Sequence, residues 1–156
     1  TEYCGDGHSK MNSWVVVHKS QADFDQWLDS ASILIPEGTS DIAAGEILYK
    51  GVGGCKACHN SVASAGHGIG PNFGWLSEQW GKQRKVRDSQ GKEYMVTVDK
   101  DYLRRSVYEP DAEWAWEPKQ WRGGMQAGLG EKLTDKVGSE QWVDYLAAWI
   151  KSLKDN

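Results

Sequence analysis

Short apolar clusters, separated by polar and glycine-rich stretches, divide the first forty residues into three predicted elements. Residues 13–19 are β-branched and aromatic without helical spacing, which predicts a strand. From Gln21 to Ala31 the apolar side chains recur on one helical face, and Ser20 is suited to cap that helix. Residues 31–40 contain proline, glycine, threonine and serine and are interpreted as a linker.

The remainder of the chain alternates predicted helices with loops and one hairpin. Ser40 is suited to cap a helix that runs to about Lys50. Residues 84–98 alternate around Asp-Ser-Gln-Gly, which predicts a β-hairpin. A helix is predicted from Lys100 to Tyr108, and an amphipathic last helix covers about Ser139 to Leu153. The pattern therefore predicts short helices interrupted by one pair of strands.

Composition limits the number of domains and the classes of function that this chain can have. The chain has 156 residues, a formal net charge of −4 and 26% charged residues, which indicates one domain, or one domain with an appendage. The acidic balance excludes a strongly basic nucleic-acid binder. No run of 18 or more apolar residues is present, so no membrane-spanning segment is expected, and no signal peptide is visible.

The segment Cys55-Lys56-Ala57-Cys58-His59 carries the clearest chemical signal. Two cysteines three positions apart, followed directly by histidine, form the attachment pattern of c-type haem. Alternatives are a redox dithiol or half of a zinc site. The only other cysteine is Cys4, no second CxxC or HxxxH follows, and no βαβ pattern surrounds the motif. The sequence therefore favours a covalently attached haem with His59 as iron ligand.

With this motif, residues 41–156 resemble a class I, single-haem cytochrome c domain. Gly45 and Tyr49 match the glycine–aromatic pair of that family's first helix, and Leu146 and Trp149 match the pair of its last helix. The resemblance implies a mainly α, class I cytochrome c fold with a small β-hairpin insertion. It also implies that the two helices cross closely at the glycine.

The same resemblance extends to the loop after the motif and to a second axial ligand. Gly-Ile-Gly-Pro-Asn-Phe at 68–73 is similar to the family's Gly-Pro-Asn-Leu, which implies that Pro71 contacts the haem and accepts a hydrogen bond from His59. Met125, in a glycine-rich loop before the last helix, has the position of the family's methionine ligand. Gln126 stands where the family usually has proline.

Other candidates for the sixth position are weaker. Met11 precedes the motif in a different unit, and the alternation around Met95 suits a core side chain. His67 lies in the covering loop and is interpreted as an exposed loop histidine. An iron left open for gas or peroxide chemistry is the remaining alternative.

Trp80-Gly81-Lys82 resembles the family's aromatic–glycine–basic element, which implies that Trp80 and Lys82 contact a haem propionate. The alternative is that Trp80 is ordinary core and Lys82 ordinary surface. The basic side chains near the hairpin either pair with propionates or form a solvated face, and we favour the solvated face. These side chains are Lys82, Arg84, Lys85 and Arg87.

The first eleven residues carry a second resemblance. Glu2, Cys4, His8 and Met11, with Gly5, match the end of the dinuclear copper loop in subunit II of haem–copper oxidases. The resemblance implies that Cys4 is a bridging thiolate, that His8 and Met11 are terminal ligands, and that Glu2 contributes its backbone carbonyl. The first bridging cysteine and the other histidine would precede Thr1, so this chain is expected to hold only part of the centre.

Together the two resemblances imply a C-terminal fragment of a caa-type cytochrome c oxidase subunit II. Residues 1–35 would be the strand–helix remnant of a cupredoxin domain with its linker helix, and residues 41–156 the cytochrome domain. The implied partners are the rest of subunit II, the catalytic oxidase subunit, and an electron-donating cytochrome or quinol-oxidising complex. The implied location is the periplasm or the outer face of the cytoplasmic membrane, to which the full-length protein would be anchored. Rivals are a free-standing cytochrome c, another copper-containing reductase subunit, and a haem sensor or peroxidase.

Overall fold

The structure is a computed structural model that describes residues 13–115 and 124–155, except for the side chains of 29–32 and 155. The chain divides into two compact units, the first ending at Ile33 and the second beginning at Leu34. Within the described ranges no helix combines the length and the apolar character that a membrane crossing requires.

The described part of the first unit contains a single helix, α1 (Gln21–Ser32). The Oγ of Ser20 accepts a hydrogen bond from the backbone N–H of Asp23, so the predicted capping is confirmed. The predicted strand at 13–19 is wrong, because these residues form no ladder and the side chains of Trp14 and Val15 are both 91% exposed. A run of β-branched residues becomes a strand only where a partner strand is available.

The described part of the second unit contains five helices. In chain order they are α2 (Asp41–Lys50), α3 (Phe73–Glu78), α4 (Lys100–Tyr108), α5 (Leu129–Val137) and α6 (Trp142–Ser152). The predicted helices at 41–50 and 100–108 are confirmed, and the Oγ of Ser40 caps α2. The last helix is confirmed but begins later, at Trp142. Helices α3 and α5 were not predicted. Because α5 lies between Met125 and α6, the methionine does not directly precede the last helix.

The same unit holds a three-stranded antiparallel sheet in the order β2-β1-β3. The predicted hairpin is confirmed as β1 (Gln83–Asp88) and β2 (Glu93–Thr97), with Val86 opposite Tyr94. On its other edge β1 pairs with the short strand β3 (Glu113–Ala115), where Val86 lies opposite Ala115. A strand of three residues carries no measurable alternation, which is why the sequence pattern does not reveal β3.

Helices and sheet share one hydrophobic core. Its fully buried side chains come from α2, β1, the segment after β2, α5 and α6, and include Leu48, Val86, Val98, Leu133, Trp142 and Ile150. The prediction of a mainly α, class I cytochrome c fold with a small β-hairpin insertion is wrong. The described residues form a mixed fold of helices and a small sheet, in which the central strand contributes to the core.

Helices α2 and α6 approach each other closely at Gly45. A Cβ added at Gly45 would meet the carbonyl oxygen of Tyr145 and would lie 2.5 Å from the Cβ of Trp149. One turn further on, the ring of Tyr49 stacks on that of Trp149 with 4.3 Å between centroids. The predicted close contact at Gly45 is thus present, and it fixes the position of α2 directly before the Cys-x-x-Cys-His segment.

Candidate cofactor site

The Cys55–His59 segment forms a compact turn after α2. Helix α2 ends at Lys50 with Gly51 as its C-cap, and Gly54 adopts a left-handed conformation at φ 62° before a 3-10 turn over Cys55–Ala57. The backbone N–H groups of Cys58 and His59 both donate to the carbonyl of Cys55, at 3.1 and 2.9 Å. The turn holds both thiols and His59 within one short piece of rigid backbone, and no disulfide joins the two sulfur atoms.

The imidazole of His59 is fixed by contacts from three sides. Its Nδ1–H donates to the carbonyl oxygen of Pro71 at 2.7 Å, as the resemblance implies. The ring of Phe73 stacks on it with 4.5 Å between centroids. A Cβ at Gly70 would lie 2.5 Å from the imidazole Cε1, so only glycine permits this approach. The hydroxyl of Tyr49 donates to the backbone carbonyl of His59 at 2.6 Å.

These contacts also determine the protonation of His59. Burial lowers the pKa of the imidazole, and the hydrogen bond to Pro71 only partly offsets that effect. A carbonyl oxygen can only accept, so the single proton of the neutral ring is on Nδ1 and Nε2 keeps its lone pair. A neutral imidazole with Nδ1 bonded to a carbonyl is the form in which histidine binds metals.

Asn72 holds the loop that carries Pro71. The side chain is fully buried; its Oδ1 accepts from the N–H of Trp75 and caps α3. Its Nδ2 donates to the carbonyl oxygens of Val62 and Gly66, at 2.8 and 2.5 Å. One amide group therefore joins two points of the preceding loop, Val62 and Gly66, to the start of α3, and Pro71 directly precedes this anchor.

Replacing Asn72 by alanine should lower the free energy of unfolding by about 2–3 kcal/mol. The variant loses a helix cap, about 1 kcal/mol, and the two hydrogen bonds that the buried Nδ2 donates to the carbonyls of Val62 and Gly66, about 0.5–1.5 kcal/mol each. The matched control is Ser40→Ala, which removes an exposed cap whose Oγ accepts only from Ala43; we expect a loss of about 1 kcal/mol or less. Urea unfolding measures both, and equal losses would contradict this role for Asn72.

A cavity of about 390 Å³ lies beside the turn. This volume is within the range of roughly 300–1,000 Å³ that is typical of ligand and cofactor sites. Its wall is mainly apolar and is built by side chains from α3, α4, α5 and α6, including Leu76, Leu103, Val107, Leu129, Leu133 and Leu146. Cys55, Cys58 and His59 line one part of the same cavity.

Met125 lines this cavity together with His59 and Pro71, so residues far apart in the sequence meet at one site. The thioether is partly buried against the hydrophobic core. Met95 is 54% exposed on β2, so its predicted core position is wrong. His67 is half-buried: its Nδ1 accepts from the N–H of Asn72 at 3.2 Å, and it does not line the cavity. The prediction of an exposed loop histidine is therefore also wrong.

Trp80 and Lys82 do not line this cavity. Trp80 is partly buried against the core and borders a separate depression beside Lys100 and Lys151, while Lys82 is exposed. Their predicted contact with a propionate thus receives no support from the cavity lining. The arrangement matches the alternative of a core tryptophan and a surface lysine.

Arg84 is the site residue that the sequence interpretation missed. It was assigned to a solvated hairpin face, yet it is only 6% exposed and lines the cavity. The signal was present in the alternation of β1, because Arg84 is two positions before the fully buried Val86 and therefore shares its face. Arg84 was grouped with its basic neighbours as one face, although successive residues of a strand point to opposite faces.

The rival chemistries for the two cysteines are disfavoured. Burial raises the pKa of the Cys55 thiol to about 11, with the Cys58 charge adding to it, whereas a redox dithiol needs a thiolate at neutral pH. In the part of the chain that the structure describes, no three His, Cys, Asp or Glu side chains gather in a way that could hold a metal ion. A structural zinc site normally requires four such ligands.

The predicted copper ligands Glu2, Cys4, His8 and Met11 lie outside the described residues. No protein-family model, curated protein or solved structure matched the chain.

Proposed function

We propose that the second unit binds one haem covalently through Cys55 and Cys58 and transfers electrons, with His59 and Met125 as axial ligands. The observation that carries this proposal is the shared cavity, which is lined by both thiols, by His59 and by Met125. The donor set fits haem iron: a neutral imidazole and a thioether are a known axial pair. The mainly apolar wall fits a porphyrin face.

The chain's own residues set the conditions for electron transfer. The bound iron would supply a one-electron couple between its ferric and ferrous states. Pro71 keeps the Nδ1 proton in place and orients the His59 ring. The leucine and valine side chains of the wall keep water away, and burial together with thioether ligation favours the reduced state and a higher potential.

We further propose that the electrons pass to a dinuclear copper centre in a cytochrome c oxidase subunit II, of which Cys4, His8, Met11 and Glu2 would be part. This proposal rests on the motif at residues 2–11. Covalent linkage would raise the effective concentration of donor near acceptor, because transfer becomes intramolecular. A periplasmic location, or one on the outer face of the cytoplasmic membrane, belongs to the same proposal.

Haem attachment is tested by producing the full chain in cells that attach c-type haem. We expect a mass one haem above that of the polypeptide, a haemochrome spectrum typical of two thioether bonds, and retention of colour after acid–acetone extraction. Replacing both Cys55 and Cys58 by alanine should make the haem extractable, whereas Cys4→Ala should retain it. A wild-type chain that acquires no haem, or releases it in acid–acetone, overturns the proposal.

The copper acceptor is tested separately on the reading frame upstream of Thr1. We expect a cysteine one residue before Thr1 and a cupredoxin segment further upstream. An upstream sequence without these features would favour a free-standing cytochrome c, and would leave the haem proposal unaffected.

A further inference from the structure

Arg84 has an unusual set of partners for a buried cation. Its Nη1 donates to the hydroxyl of Tyr102 at 3.0 Å, and its guanidinium lies 4.9 Å from the ring centroid of Trp75. Its Nε and Nη2 groups are buried and have no hydrogen-bond partner. Because the side chain lines the cavity, a group bound there is a partner these donors can reach.

The acidic side chains nearest in the sheet are engaged elsewhere. Glu113 lines the same cavity, but its two oxygens bind the hydroxyl of Tyr94 at 2.6 Å and the guanidinium of Arg105 at 3.4 Å. Glu93 pairs with Arg87 and Lys85 on the exposed hairpin face. Arg84 thus has no carboxylate partner among its described neighbours.

The two unpaired donors form a recognisable fork. In a guanidinium, Nε–H and Nη2–H point from one edge with the spacing of a carboxylate's two oxygens. The structure contains an occupied example, since Arg104 uses the same two nitrogens to bind both carboxylate oxygens of Glu140, at 2.9 and 2.6 Å. Leaving such a fork buried and empty is costly, because a desolvated charge without a partner destabilises a fold strongly.

We propose that Arg84 binds a carboxylate of the group that occupies the cavity, as a two-bond clamp on one haem propionate. This inference rests on the proposed haem binding and adds a positioning residue to it. The clamp fixes the rotation of the macrocycle about the thioether edge and balances one propionate charge inside the protein. Burial lowers the pKa of Arg84, which an anionic partner would counteract.

The test uses the holoprotein and compares two substitutions of Arg84 with one of Lys85. Lys85 is the next residue of β1, so its side chain lies on the opposite face of the strand. Arg84→Gln removes charge and fork, and Arg84→Lys keeps the charge but not the fork. The control is Lys85→Gln, which removes the same charge from an adjacent residue with a side chain that is 46% exposed. The readouts are the resonance Raman bands of propionate bending and the reduction potential.

We expect both Arg84 variants to shift one propionate bending band, and Arg84→Gln to lower the potential, because removing a nearby positive charge favours ferric iron. Arg84→Lys should recover part of the potential but not the band position. Lys85→Gln should change neither readout appreciably.

The outcomes distinguish a failure of the Arg84 clamp from a failure of the proposed haem binding. A wild-type chain without haem overturns the proposed function. The clamp alone is overturned if all variants contain haem and the two Arg84 variants have the same bands and potentials as Lys85→Gln. If Arg84→Gln does not fold, Arg84→Lys decides, since an unshifted band in that variant contradicts the two-bond geometry.

Discussion

Replacing Met125 by alanine should open the sixth coordination position of the proposed haem iron. Met125 is the only methionine among the described residues that lines the cavity with His59. The weak sulfur-to-iron band of the ferric spectrum should disappear, and the ferrous protein should bind carbon monoxide, which the wild type should exclude. The potential should fall markedly, because axial ligation sets haem potentials over a range of about 0.8 V.

The chain provides a matched control in Met95, which is 54% exposed on β2. Met95→Ala should keep the sulfur-to-iron band and the wild-type potential. Persistence of the band in Met125→Ala would show that another group binds the iron. If the wild-type ferrous protein itself binds carbon monoxide readily, the rival interpretation as a sensor or peroxidase gains instead.

The parts of the fold that were predicted are those with strong local signals. Ser40 and Ser20 each cap the predicted helix, and the alternation after Gln83 gives the hairpin. Helix α3 was missed because residues 60–72 were interpreted as a loop, and Asn72 at its end was not recognised as the cap of a following helix. Helix α5 was missed because it begins at a left-handed Gly128 without any side-chain cap.

The errors in fold class have a common physical cause. Strand β3 exists only because β1 offers it an edge, and the segment around Val15 has no such partner among the described residues. Pairing between distant segments decides both cases, and local pattern does not report it. The burial of Arg84 has the same cause, because it lies on the face of β1 that the core covers.

The residues of the candidate site likewise divide into those that a sequence signal predicts and those that only the tertiary structure brings together. Cys55, Cys58 and His59 were found from spacing alone, because the attachment chemistry requires adjacent groups. Pro71 and Met125 came from resemblance to a family, and their shared position with His59 is a tertiary fact. Gly70 and Phe73 contact the imidazole, and Tyr49 binds the backbone carbonyl of His59; none of the three carries a sequence signal of that role.

Replacing Gly45 by alanine should destabilise the protein by about 1–2 kcal/mol, despite improving the helix propensity of α2. The propensity gain is about 1 kcal/mol. Against it, the new Cβ would meet the Tyr145 carbonyl oxygen and lie 2.5 Å from the Trp149 Cβ. Neither contacted atom belongs to a flexible side-chain end, so α2 and α6 must separate, and overpacking of this kind costs about 1–3 kcal/mol, occasionally more.

The displacement should also reach the site, because Tyr49 on α2 holds the backbone carbonyl of His59. We therefore expect Gly45→Ala to show a lower urea midpoint and a weaker sulfur-to-iron band, both measured on the holoprotein. Glu46→Ala is the control: it changes the next, exposed residue of α2 and removes only a surface ion pair with Lys50, about 0.5 kcal/mol. A Gly45→Ala protein as stable as this control would mean that the helices part without cost, which the buried stacking of Tyr49 on Trp149 argues against.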